Sequence, residues 1–299
     1  MSKSDENADR VKAHWNAQSA KKSQGWTSNG KILEYVLKNI SGSNKFWLNW
    51  LFEDHIKRPI DNLLSLGCGT GGHEFIMART GLVSHIDAFD ISPSSIASAR
   101  ERALAEGVKN ISFEEKSFED FISNPPNKKY DAICFFGSLH HVTPIEDVLF
   151  TCRSLMSDNS ILIFNEYTGY MYALPSPKTE SIIEEIHKCI HPKFINDGFE
   201  KVKFFDLEHM LKHDPSEGVR APLIIPILRQ IFDVSFLKAT AGPILHRYYS
   251  HLNHDFANSH TPEAETIMNL LIFIEEILLK NQVLDPDFHI GICKLKKAL

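Results

Sequence analysis

Gly67-Cys68-Gly69-Thr70-Gly71-Gly72 follows the apolar run Leu63-Leu64-Ser65-Leu66 and leads into a helical pattern from His73. Clustered glycines let the backbone turn sharply and approach a ligand without Cβ atoms in the way. The free amides at the start of the helix then favour an anionic group. Gly67, Gly69 and Gly72 satisfy the spacing of a dinucleotide fingerprint, and the same loop suits an adenosine ligand of another kind. Asp90 closes the next apolar strand, His85-Ile86-Asp87-Ala88-Phe89-Asp90-Ile91, where its carboxylate could accept both hydroxyls of a ribose. That placement serves either ligand.

The residues that separate the two readings come later. A short strand at Ile111-Ser112-Phe113 is followed by a buried one at Asp131-Ala132-Ile133-Cys134-Phe135-Phe136, and Gly137-Ser138-Leu139-His140-His141-Val142 stands at its carboxyl end. Open α/β sheets place ligands at that edge. A further strand, Ile161-Leu162-Ile163-Phe164-Asn165-Glu166, is preceded by a helix and a polar turn at Ser157-Asp158-Asn159-Ser160. In this order the motifs resemble the class I S-adenosylmethionine-dependent methyltransferase family, over about residues 61–168.

The resemblance implies S-adenosyl-L-methionine as cofactor. It also implies an α/β fold: a Rossmann-like, seven-stranded, mostly parallel sheet whose last strand is antiparallel, with an N-terminal helical lid and helical insertions. Cofactor contacts are expected from Gly67, Cys68, Gly69, Gly71, Asp90, Ile91, Ser117, Phe118 and Gly137. Phe118 or Ile91 would cover the adenine ring, with Ser117 near its amine. Two positions depart from the family pattern. Ser65 stands where many members carry an acid, so that Glu74 would supply a charge to the cofactor's amino group, and Ser117 stands where many carry Asp.

Methyl transfer from a sulfonium is an in-line displacement, so alignment and exclusion of water come first. A hydroxyl acceptor must also lose its proton. His140 is the candidate base, His141 the alternative, since adjacent side chains diverge and at most one is expected to face the site. A capping role is the competing use of either ring. Glu166 and Tyr167 should also reach the pocket, Glu166 as base, acceptor ligand or ion-pair partner. In Asp214-Pro215-Ser216-Glu217-Gly218-Val219-Arg220, Ser216 is expected to cap a helical turn and Glu217 to pair with Arg220. Trp15 and Trp26 could close over the cofactor, with packing of the lid against the sheet as the expected use.

The 299 residues, 43% hydrophobic and 23% charged, can bury a large core. Four zones are expected: a helical lid over residues 1–60, the cofactor-binding core over 61–168, a helical insertion or substrate cap over 169–218, and the rest of the sheet with a helical excursion over 219–299. In the last zone Thr261 and Pro262 mark a helix start, and Ile267, Leu270, Leu271, Ile274, Ile277 and Leu278 form an apolar stripe. A net charge of −6 argues against a nucleic-acid groove, and Gly137-Ser138-Leu139-His140 replaces the Asn-Pro-Pro-Tyr type of motif that such enzymes place after the fourth strand.

Five widely spaced cysteines read as reduced thiols, and the opening Met1-Ser2-Lys3-Ser4-Asp5-Glu6-Asn7 is polar, which together predict a cytoplasmic protein. No membrane span is expected. The 15 His show no ligand spacing, so no metal is assigned. The expected activity is O-methylation of a small-molecule or glycan-like acceptor, with the oligomeric state open. A nicotinamide-dependent oxidoreductase, or a silent module that binds S-adenosylmethionine without transferring its methyl group, are the alternatives.

Overall fold

The computed structural model describes residues 11–15 and 25–296. The expectation for Met1 to Asn7 lies outside them. Seven strands form one sheet: β1 (Ile60–Leu66), β2 (Val83–Asp90), β3 (Ile111–Glu115), β4 (Tyr130–Phe136), β5 (Met156–Tyr167), β6 (Phe232–Ala239) and β7 (Phe288–Leu295). Their order is β3-β2-β1-β4-β5-β7-β6. The first five pair in parallel, and β7 lies antiparallel between β5 and β6. This is the expected Rossmann-like sheet with its inserted antiparallel last strand.

Strands covered on both faces need apolar residues at every position, which is why they read as runs rather than alternations. Leu64, Ile133, Phe135, Leu162 and Phe164 meet Phe121, Leu149 and Leu228 on one face. Leu63, Ile86, Ala132, Ile163 and Ile292 meet Trp47, Leu51, Phe75 and Ile96 on the other. A third core is built mainly from helices. It joins the helices Gly30–Ser41, Pro177–Cys189, Leu245–Tyr248 and Pro262–Lys280 through Ile32, Ile183, Leu245, Tyr248, Met268 and Leu271. The N-terminal zone therefore divides: the helical residues 11–15 approach the cofactor edge, while Gly30–Ser41 builds the helical core and Trp47–Phe52 pack beneath the sheet.

Two local expectations change. The polar segment 157–160 does not precede β5 but bulges from it, because pairing steps from Tyr130 with Met156 to Ala132 with Ile161. Ser160 Oγ closes the bulge by accepting from Ser157 N at 2.8 Å. On the helix Pro262–Lys280 the buried line is Ala264, Met268, Leu271 and Glu275, whereas Leu270, Phe273 and Ile277 are exposed. A carboxylate interrupts the stripe for a reason. Glu275 accepts from the amides of Gly242, Ile244 and Leu245 at 2.8–2.9 Å, tying down the start of the helix Leu245–Tyr248, which carries His246 and Arg247.

Glu74 also departs from its expected use. It lies beneath the glycine loop, 2% exposed, with its Oε1 accepting from Ser65 Oγ at 2.5 Å. Burial pushes its carboxyl up to about 7, against the pull of the Ser65 hydrogen bond. A carboxyl whose pKa is raised on folding supports stability fully below its unfolded value of 4.5 and withdraws that support as pH rises through about 7. The shift corresponds to roughly 3 kcal/mol. Glu74→Gln removes the titration, so its stability relative to the wild type should rise between pH 5 and pH 8 in cofactor-free urea melts. A stability difference independent of pH would contradict this.

Candidate active site

β1 ends at Leu66, and the chain turns through Gly67 and Gly69 at φ +71° and +54°, conformations that favour glycine. A Cβ at Gly67 would stand 2.5 Å from Ser138 Cβ, so the loop after β1 and the loop after β4 touch there. Between them opens a cavity of about 540 Å³ lined by Gly67, Cys68, Gly69, Asp90, Ile91, Phe118 and Gly137. Seven of the nine residues expected to hold the cofactor thus meet in one place. Gly71 instead serves the turn, where a Cβ would press on Phe113 at 2.8 Å. Ser117 caps the helix Phe118–Ser123 in a capping box with Asp120, and its neighbours Lys116 and Glu119 reach the cavity.

Asp90 is partly committed. Its Oδ2 accepts from Gly69 N at 2.8 Å and its Oδ1 from Ser92 N at 2.9 Å, so it braces the loop while lining the cavity. Burial pushes its carboxyl up and the two amides oppose this. Each oxygen keeps a second lone pair for a ribose hydroxyl. Asp90→Ala should therefore weaken S-adenosylhomocysteine binding by about 1.5–3 kcal/mol, read by calorimetry. Unchanged affinity in the folded variant would remove Asp90 from the site.

The loop after β4 carries the histidines. Glu166, near the end of β5 and fully buried, accepts from Ser138 N and Leu139 N at 2.9 Å and from His140 Nδ1 at 2.7 Å. It stands behind the imidazole and lines neither of the two cavities at this edge, so it orients His140 rather than reaching a ligand. Burial lowers His140, but the hydrogen bond and charge of Glu166, with Glu217 and Asp214, outweigh it and hold the ring above its ordinary value. His141 is held well below, by burial and by His140 and His14.

The two rings do not diverge into site and scaffold as expected. His141 lines the cavity under the glycine loop, while His140 and Glu217 line a second cavity of about 470 Å³. The second cavity also has Tyr167, Phe204, Phe205, Phe288, Lys203, His246 and Arg247 on its walls. His140, His141, Ser216 and Glu217 form the partition between the two. Arg220 is not the partner of Glu217; it forms a two-pronged pair with Glu146 at 2.5 and 2.7 Å. Ser216 donates to Asp214 Oδ1 at 2.6 Å and meets His141 Nδ1 at 3.1 Å instead of capping a helix. Long-range folding brings this turn to the histidines, and no spacing in the chain signals it.

Trp15 lines the cavity under the glycine loop and stands edge-on to His141 at 4.9 Å between ring centroids. His14 Nε2 lies 3.5 Å from Asp214 Oδ2, which fastens the same short helix over the partition. Trp26 goes elsewhere, stacking on Phe288 at 5.6 Å. Arg247 is held by Ala173 O, Tyr167 Oη and Asp287 Oδ2 at 2.6–3.0 Å, so it shapes the second cavity as a buried brace. The five cysteines are all free thiols; Cys68 lines the cavity under the glycine loop and Cys189 is exposed.

Comparison with known proteins agrees with this architecture. A family model described as a methyltransferase domain matches residues 58–217, just over half of the chain. The chain belongs to the class I S-adenosylmethionine-dependent methyltransferase family. The nicotinamide reading of the glycine loop falls with that assignment, and the cofactor of the family is S-adenosyl-L-methionine. Among curated relatives, a ubiquinone biosynthesis O-methyltransferase of Pasteurella multocida (strain Pm70) is 26% identical over 145 residues, 44% of this chain and 59% of that protein. A protein of the same description from Actinobacillus pleuropneumoniae serotype 5b (strain L20) is 27% identical over 160 residues, 50% of this chain and 67% of that one.

The match thus spans about six tenths of the length of the first of these relatives. Among solved structures, the N-methyltransferase NodS from Bradyrhizobium japonicum WM9, in complex with S-adenosyl-L-homocysteine, superposes with a TM-score of 0.51 at 10% identity, covering 97% of this chain and 100% of that one. A putative sarcosine dimethylglycine methyltransferase from Galdieria sulphuraria gives 0.50 at 16% identity, covering 82% and 84%. These last two likenesses concern the fold. Among the described residues of this methyltransferase-family chain, no helix is long and apolar enough to cross a membrane.

Proposed function

We propose that this chain transfers the methyl group of S-adenosylmethionine to a hydroxyl of a small-molecule or glycan-like acceptor held in the second cavity. The observation that carries the proposal is the partition: a carboxylate-anchored imidazole stands between the cavity under the glycine loop and a second one of acceptor size. The cofactor's sulfonium would face that partition. In its neutral form His140 keeps its proton on Nδ1, hydrogen-bonded to Glu166, and its Nε2 lone pair accepts the hydroxyl proton as the oxygen attacks the methyl carbon. A bound S-adenosylmethionine would supply the methyl group, its methyl–sulfur bond breaking as the acceptor's oxygen–carbon bond forms and S-adenosylhomocysteine leaving. Glu166 stabilises the imidazolium so produced.

The walls of the second cavity support the acceptor class. Tyr167, Phe204, Phe205 and Phe288 offer faces for a ring, while Lys203, His246 and Ser250 offer polar contacts around it. The curated O-methyltransferases among the relatives support oxygen as the accepting atom. Formation of S-adenosylhomocysteine from S-adenosylmethionine, measured against a panel of hydroxylated ring compounds and sugars, tests the reading. Release that depends on the acceptor and yields a methyl ether supports it; methylation confined to amines contradicts it.

A further inference from the structure

The partition holds more donor atoms than a single base needs. His140 Nε2 lies 3.7 Å from Glu217 Oε1 and His141 Nε2 lies 3.8 Å from Glu217 Oε2. Ligand atoms of the three residues all fall within 4.8 Å of one another. These separations exceed hydrogen-bond lengths. They approach those of ligands around one ion: bonds of about 2.0–2.2 Å to zinc put tetrahedral ligands roughly 3.3–3.6 Å apart.

The tautomers make the case sharper. In its neutral form His140 donates Nδ1–H to Glu166 at 2.7 Å and presents a lone pair at Nε2. The Ser216 hydroxyl gives its proton to Asp214 at 2.6 Å, so toward His141 Nδ1, at 3.1 Å, it accepts. His141 therefore also carries its proton on Nδ1 and presents a lone pair at Nε2. Two imidazole lone pairs and a carboxylate converge on one point, with Glu166 and Asp214 buried just behind. One proton on His140 could satisfy Glu217 but leaves His141 facing it unprotonated. A divalent cation satisfies all three, and the partners on Nδ1 are those that orient metal-bound histidines.

We propose that His140 Nε2, His141 Nε2 and the Glu217 carboxylate bind a divalent transition-metal ion of the zinc class, with an open position facing the acceptor cavity. Two nitrogens and one carboxylate suit zinc or cobalt rather than the oxygen-rich shells that magnesium and calcium require. The consequence for turnover rests on the reading of His140 as the base. Its Nε2 lone pair serves either the ion or the acceptor's proton, so metal occupancy and methyl transfer oppose one another.

The test is titration of untagged, chelator-treated protein with Co²⁺, followed by visible absorbance. One ion per chain with d–d bands is expected, with affinity lowered at least ~100-fold in His141→Ala and in the near-isosteric Glu217→Gln. His246→Ala, across the same cavity, should bind as the wild type does. Thermal melts of each variant identify any that fail to fold, and Glu217→Gln is the variant least prone to do so. Absence of d–d bands, or binding indifferent to both substitutions, overturns the site. Turnover that requires the ion, rather than falling as it binds, overturns the opposition. Because the spectrum needs no methyl transfer, an inactive protein that still binds Co²⁺ in this way faults the reading of the base and leaves the metal site standing.

Discussion

His140→Ala should lower turnover by roughly 10²–10⁴-fold while leaving S-adenosylhomocysteine affinity nearly unchanged. The separation follows from where the ring sits. His140 lines the second cavity and not the cofactor's, so its loss removes a proton acceptor, at a cost of about 3–5.5 kcal/mol in the barrier, without touching the cofactor's contacts. His141→Ala leaves the His140 and Glu166 pair intact and should cost much less in turnover. If His141→Ala is the more damaging, the base has been placed on the wrong ring. If both variants keep full turnover, alignment of the reactants without a general base is the better account.

Gly69→Val should abolish cofactor binding, with S-adenosylhomocysteine affinity down at least ~100-fold, while the sheet survives. An added Cβ at Gly69 meets no protein atom within 4 Å, so the side chain enters the cavity rather than the core. The positive φ of +54° adds strain of about 1–3 kcal/mol, which lowers the melting temperature but does not dismantle the sheet. Gly67→Val differs in kind. Its Cβ would collide with Ser138 Cβ at 2.5 Å and force the two ligand loops apart, so folding and binding should fail together. Calorimetry with circular dichroism on both variants reads the contrast, and tight cofactor binding by Gly69→Val would contradict the cradle.

The sheet and its glycine loop were legible because their causes are local. A parallel strand buried on both faces must be apolar throughout, and a turn at positive φ must be glycine, so β1, β2, β4 and the Gly67 to Gly69 loop are visible in a single sequence. Asp90 was readable for the same reason, standing at a strand end beside that loop. The partition was not. Glu217 sits three residues from Arg220, and helical spacing suggests that pair, yet Arg220 reaches Glu146 and Glu217 turns to histidines more than seventy residues away.

Buried polar residues misled in a consistent way. Glu275 lies on the core side of an apolar helix because three backbone amides elsewhere need an acceptor, and Glu74 is held by Ser65 and does not line the cavity under the glycine loop. Ser117 was drawn to its own helix cap. In each case a hydrogen-bond demand set by tertiary packing overrode the role that position along the chain suggested.

A crystal structure with S-adenosylhomocysteine bound tests the central claim most directly. The account predicts the ribose on Asp90, the amino-acid moiety along the Gly67 to Gly69 loop, and the sulfur facing the partition of His140, His141 and Glu217, with the second cavity open beyond it. A sulfur directed away from that partition, or a homocysteine chain occupying the second cavity, would contradict it.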